Sequence, residues 1–143
     1  MVPPIMPASR NIYLDIDGVL LINEKTAAPF ADEFLRFILS NFPDSTYRLT
    51  THCWQGVNRT REVLAPAFDI EILNMLSVIK PTDWGDAKTD AIDFSKPFLW
   101  FDDDLYPEEK TALETHNALD SHVLIDLSQN PNQLKGIITT SIH

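Results

Sequence analysis

Apolar residues in this chain fall into two patterns that take turns along its length. Short continuous runs alternate with stripes of three- and four-residue spacing, the signatures of buried strands and amphipathic helices. The first run, Asn11 to Asp17, reads as a strand. Val19 to Ile22 is apolar and partly β-branched, and Asn23-Glu24-Lys25 follows as a turn signal. This predicts a small hairpin, or flap, hanging over the strand end. Pro29 suits a first helical position. Phe30, Phe34, Phe37, Ile38 and Phe42 then recur at helical spacing, as the buried stripe of an amphipathic helix that Pro43-Asp44-Ser45 breaks.

Thr46 to Thr50 reads as a second strand, and Thr51 to Gly56 as a loop at its end. Asn58 is placed to cap a helix through Arg61, Glu62, Val63 and Leu64, stopped near Pro66. Ile70 to Ile79 is apolar and fits either a strand or a short helix. Pro81-Thr82-Asp83 interrupts it, and a helix through Lys88, Ala91 and Ile92 is expected next. Pro97 to Phe101 is a third clear strand. Pro107-Glu108-Glu109 opens a helix with acids in its first turn, where the helix dipole favours them. His122 to Asp126 is a fourth strand, and Asn132 to Ser141 a last helix. Strands alternating with helical segments predict βαβ units. The expected fold is α/β, a three-layer α/β/α sandwich with a mostly parallel, Rossmann-like sheet.

A chain of 143 residues suits one domain, taken as residues 11–143. Residues 1–10, with prolines at 3, 4 and 7, read as a loose lead-in. No signal peptide is visible in that lead-in. No run approaches the roughly 18 apolar residues that span a bilayer. The single cysteine rules out a disulfide within the chain and favours a reducing compartment, most simply the cytoplasm. The formal net charge of −10 repels nucleic-acid phosphates, so non-specific binding to polyanions is not expected. Such a charge serves solubility, and it also leaves carboxylates available to converge on a divalent cation.

Two acidic clusters bear on that second use. The first strand ends in Asp15-Ile16-Asp17-Gly18, and the third ends in Asp102-Asp103-Asp104. Aspartate fills 14 of 143 positions, so a bare Asp-x-Asp is near chance. Its position is what separates it from chance, because a carboxylate at the end of a buried run is costly to desolvate. A parallel sheet places all its strand C-termini on one edge, where ligands bind. Carboxylates gathered there repel one another unless a cation holds them. A site made only of oxygens suits Mg²⁺. Thr50 ends the second strand on the same edge. Lys88 sits at the start of the helix expected before the Asp102 strand and can act as a point cation.

Asp-x-Asp-Gly, a strand-end Thr, a Lys and then Asp-Asp, in that order, resemble the haloacid dehalogenase-like superfamily of phosphohydrolases. Asp15-Ile16-Asp17-Gly18-Val19-Leu20 is similar to its first motif, Leu49-Thr50 to its second and Asp102-Asp103 to its fourth. The third, a lysine, has two candidates. Lys80-Pro81 resembles one family form, and Lys88-Thr89-Asp90-Ala91-Ile92 the form of small members, which is favoured here.

The resemblance implies a Mg²⁺-dependent phosphatase. Asp15 would be the nucleophile that takes up the phosphoryl group, and Asp17 the acid that protonates the leaving oxygen and then activates water. Asp15, the backbone carbonyl of Asp17, and Asp102 would hold the metal, with Asp103 in support. Thr50 and Lys88 would bind the phosphate.

Family members usually insert a cap domain, but only 32 residues separate Asp17 from Thr50 and 37 separate Thr50 from Lys88. The site is therefore expected to be open, suiting a large or macromolecular phosphomonoester or a partner that closes it. Thr51, His52, Cys53 and Trp54 are placed to touch substrate, while His52-Cys53 lacks the second ligand pair that zinc needs. Two alternatives stand beside this reading. One is a non-catalytic or partner-dependent module of the same fold. The other is a receiver-like phospho-acceptor domain.

Overall fold

Side-chain alternation along the central strands assigns each residue to one of two layers. In the computed structural model, which describes residues 10–52 and 59–141, five parallel strands form one sheet. They are β1 (Asn11–Leu14), β4 (Thr46–Arg48), β5 (Lys80–Pro81), β6 (Phe98–Asp102) and β7 (His122–Leu124), in the order β5-β4-β1-β6-β7. A separate antiparallel hairpin joins β2 (Leu21–Asn23) to β3 (Thr26–Ala27). The helices are α1 (Ala31–Asn41), α2 (Thr60–Leu64), α3 (Ile70–Met75), α4 (Pro107–Thr115) and α5 (Gln133–Ser141).

Ile12, Leu14 and Phe101 point to one face of the sheet. There they meet Phe34, Leu35 and Ile38 of α1, Leu64 of α2, Ile72 of α3 and Leu134 of α5. Tyr13, Phe98 and Trp100 alternate to the other face and pack with Leu113 of α4 and with Ile92. The expected α/β/α sandwich with a Rossmann-like parallel sheet is the observed architecture. Counting only these five strands in chain order, the arrangement is 3-2-1-4-5. This is the start of the doubly wound dinucleotide-fold order and differs from the 2-1-3-4-5 order of flavodoxin-like receivers. The order reverses between β1 and β6, and a crevice opens at such a switch point.

Several boundaries differ from expectation. The strands stop short of their apolar runs, so Asp15, Asp17 and Thr50 lie just beyond them. The first helix starts at Ala31, not Pro29, because Phe30 is its cap residue in the left-handed region (φ 64°). The ambiguous run Ile70 to Ile79 is α3 followed by a 3₁₀ turn at Leu76–Val78. It is capped by the Asp69 carboxylate, which accepts the Ile72 N–H at 3.1 Å. The two-residue strand β5 was not expected. It lies at the sheet edge, the place where a proline is tolerated.

The helix expected through Lys88 is only a 3₁₀ turn, Lys88–Ala91. Ile92 already has extended backbone, and the next N–H, that of Asp93, donates to the Tyr13 hydroxyl at 3.0 Å. Met1 to Ser9, Cys53, Trp54, Gly56 and the expected cap Asn58 lie outside the described residues. Between Asp17 and Thr50 the chain builds the hairpin, α1 and β4, with no cap module among the described residues. Among them, too, no helix is long and apolar enough to cross a membrane.

Phe34 is fully buried and meets Phe101 edge-to-face, with ring centroids 5.4 Å apart. Phe34→Ala is expected to cost about 3–5 kcal/mol, the usual range for a phenylalanine cavity. Denaturant unfolding checks this as a lower midpoint at unchanged slope.

Candidate active site

The register of the two central strands sets the first two carboxylates side by side. Leu14 pairs with Phe101, and the next N–H, that of Asp15, donates to the Phe101 carbonyl at 3.0 Å. Asp15 and Asp102 therefore leave neighbouring strands at the same level of the switch point. Both are buried.

Beyond Asp15 the chain turns sharply. The Ile16 carbonyl accepts the N–H groups of Val19, Leu20 and Leu21 at 2.8–3.2 Å, and the Gly18 N–H donates to the Leu21 carbonyl at 2.8 Å. Gly18 has φ 78°, and a Cβ there would lie 2.2 Å from Asp103 Oδ2. Only glycine meets both the left-handed backbone and the close seat of the Asp103 carboxylate. Asp15, Asp102 and Asp103 each offer an oxygen within 4.8 Å of the others, a grouping able to hold a metal ion.

Lys88 enters this cluster from the 3₁₀ turn. Its Nζ lies 2.7 Å from Asp102 Oδ2 and 3.5 Å from Asp15 Oδ1, nearly sealed from solvent. The Asp104 N–H donates to the other oxygen of Asp102 at 3.1 Å. One ammonium does not balance three acids in a partly desolvated space. Burial, and then the neighbouring Asp102, push the Asp15 carboxyl well above its usual range against the pull of Lys88. Burial, followed by the hydrogen bond and charge of Asp102, pushes Asp103 up to about 6. Burial alone would weaken the charge of Lys88, but Asp15 and Asp102 together hold it protonated above its ordinary value. The cluster thus has an excess of negative charge that an oxygen-seeking divalent cation fits.

A cavity of about 480 Å³ opens over these groups and is lined also by Asp17, Thr51, Trp84 and Tyr106. Of the expected site residues, the structure gathers Asp15, Asp17, Lys88, Asp102 and Asp103 around it. Thr50 is different: it is fully buried beneath the cavity, and Thr51 lines the wall. The Thr50 hydroxyl accepts the His52 N–H at 3.4 Å, and its carbonyl accepts the Trp84 indole N–H at 3.1 Å. Lys80 lies elsewhere, on edge strand β5, donating to the Asp44 carbonyl at 2.7 Å. Between the two lysines, it is Lys88 that faces the carboxylates.

Two contacts here were not expected from the sequence. Trp84 roofs the end of β4 through its bond to Thr50. His52 was expected only to border substrate, yet its Nε2 lies 2.8 Å from Asp17 Oδ2. No short-range pattern signals a contact between positions so far apart in sequence. The chain matches no family model, no curated protein and no solved structure.

The raised position of Asp103 has a definite sign. Its folded form binds a proton more tightly than the unfolded chain, so this contribution is complete below about pH 4 and is lost as pH rises through about 6. Asp103→Asn is expected to remove that loss. Melting curves in a chelating buffer check it: the variant should gain on wild type as pH goes from 5 to 8.

Proposed function

We propose that this chain is a Mg²⁺-dependent phosphohydrolase of the haloacid dehalogenase-like kind, acting through an aspartyl-phosphate on a phosphomonoester. The observation that carries the reading is a convergence. Asp15 from the end of β1, Asp102 and Asp103 from the end of β6, and Lys88 from a separate turn meet at one switch-point cavity. Chance rarely buries two carboxylates around one lysine, because each buried ion is costly to desolvate. The five-strand order speaks against a receiver-like domain.

In this reading a carboxylate oxygen of Asp15 attacks phosphorus and the bond to the leaving oxygen breaks. Asp17, at the mouth of the cavity, gives its proton to that oxygen and releases an alcohol. It then takes a proton from a water that attacks the same phosphorus. The bond to Asp15 breaks, and inorganic phosphate leaves. Lys88 is the fixed cation beside the phosphoryl oxygens, in place before the reaction begins. Mg²⁺, held by Asp15, Asp102, Asp103 and the Asp17 carbonyl, would supply the positive charge that lets one anion approach another. Thr50 supports the strand end in this scheme, while Thr51 offers the polar wall.

Asp17 and Asp103 are exposed, and no cap covers them among the described residues. That openness supports a large or macromolecular phosphorylated substrate, or a partner that completes the site.

With Mg²⁺ the protein is expected to hydrolyse 4-nitrophenyl phosphate, and chelation should stop it. Asp15→Asn should lower turnover by roughly 10³-fold or more while keeping the fold. No turnover by wild type across a broad panel of phosphate esters would favour the non-catalytic module instead.

A further inference from the structure

The contact between His52 and Asp17 is not explained by stability. It joins a carboxylate whose side chain is 61% exposed to an imidazole that is 23% exposed. Pairs this open to water contribute little to folding. What the contact does is geometric. The Asp17 backbone is already fixed by its bridge to Leu21 and by the tight turn at Gly18. The side chain, at the mouth of an open cavity, would otherwise sample several rotamers. His52 Nε2 selects one of them at 2.8 Å.

His52 is itself seated from below. Its N–H donates to the Thr50 hydroxyl at 3.4 Å, and Thr50 is fully buried with its carbonyl tied to Trp84. The backbone that carries the imidazole is thus tied to the end of β4. Asp17 lines the cavity, and His52 contacts one of its two carboxylate oxygens, Oδ2.

We propose that His52 is a positioning residue: by holding Asp17 Oδ2 it aims Oδ1 at the leaving oxygen of a phosphate ester. The inference rests on the hydrolase reading above. In the step it serves, the Asp17 proton passes from Oδ1 to the leaving oxygen as the phosphorus–oxygen bond breaks. The products are an alcohol, the Asp17 carboxylate and phosphorylated Asp15. A misplaced acid fails most where the leaving group needs its proton most. An alkoxide needs it, whereas 4-nitrophenolate departs nearly unaided.

The test compares kcat/KM for an alkyl and an aryl phosphate, since this ratio covers only the steps up to alcohol release. Wild type, His52→Ala and His52→Gln are assayed with 4-nitrophenyl phosphate and with a simple alkyl phosphate. His52→Ala is expected to lower kcat/KM for the alkyl ester roughly tenfold more than for the aryl ester. His52→Gln, whose amide N–H donates from a similar place, should restore most of that difference. Melting temperature, and its increase on adding Mg²⁺, should be the same in all three proteins.

Equal losses on the two esters would overturn the inference and leave the hydrolase reading intact. So would a wild type that hydrolyses the aryl ester alone, since Asp17 would then deliver no proton. A wild type inactive on both esters and across the broader panel of phosphate esters would remove the hydrolase reading, and this inference with it.

Discussion

A single buried ammonium group stands between two buried carboxylates, and the centre of this protein is built around that imbalance. Lys88 reaches Asp102 at 2.7 Å and Asp15 at 3.5 Å in a space nearly closed to water. Removing one partner from such a set costs about 3–5 kcal/mol, because the charges that remain are stranded. Even complete, the set is short of positive charge once Asp103 joins it. The strain appears as protons held too tightly on Asp15 and Asp103. A fold that keeps this arrangement gives up stability at one edge of its sheet, the edge where α/β proteins place their chemistry.

The sheet makes the arrangement reproducible. β1 and β6 are adjacent, parallel and in register, so their last residues emerge together. Their apolar residues alternate between two cores, which pins the register on both faces. A slip by one residue would put Ile12 and Leu14 among the partners of Tyr13 and would send Asp15 to the wrong side. The precision of the site is therefore inherited from the packing of Phe34, Phe101, Trp100 and Leu113, none of which carries any of the chemistry.

Much of this was legible in the residues themselves. A run such as Phe98 to Phe101 has one plausible fate, and carboxylates at its end mark a sheet edge whatever follows. The hairpin after Gly18 announced itself through Asn23-Glu24-Lys25. Other features depend on geometry that no local pattern carries. Lys80 and Lys88 both sit near proline or helix signals, and only the paths of β5 and of the 3₁₀ turn separate them. Thr50 and Thr51 are adjacent and identical, so a one-residue difference in where β4 ends decides which of them meets the cavity. The reach of His52 to Asp17 joins the ends of two neighbouring strands, β4 and β1, and its meaning lies in a distance, not in a motif.

The hairpin β2–β3 now has a different significance from that of a mere cover. Among the described residues its strands pair with each other and, through the Asp17–Leu21 bridge and a few turn hydrogen bonds, with the chain around Gly18, and β2 carries the exposed Ile22. β1, by contrast, is hydrogen-bonded to a strand on each side. Local opening free energies follow such differences in bonding and burial. The protein therefore places an exposed lip, Ile22 to Thr26, beside a strand paired on both sides. Val19, Leu20 and Leu21 lie in the same core as Ile12 and Leu14, whereas Ile22 to Thr26 are exposed, so the outer part of the lip can be rearranged without loosening the carboxylates.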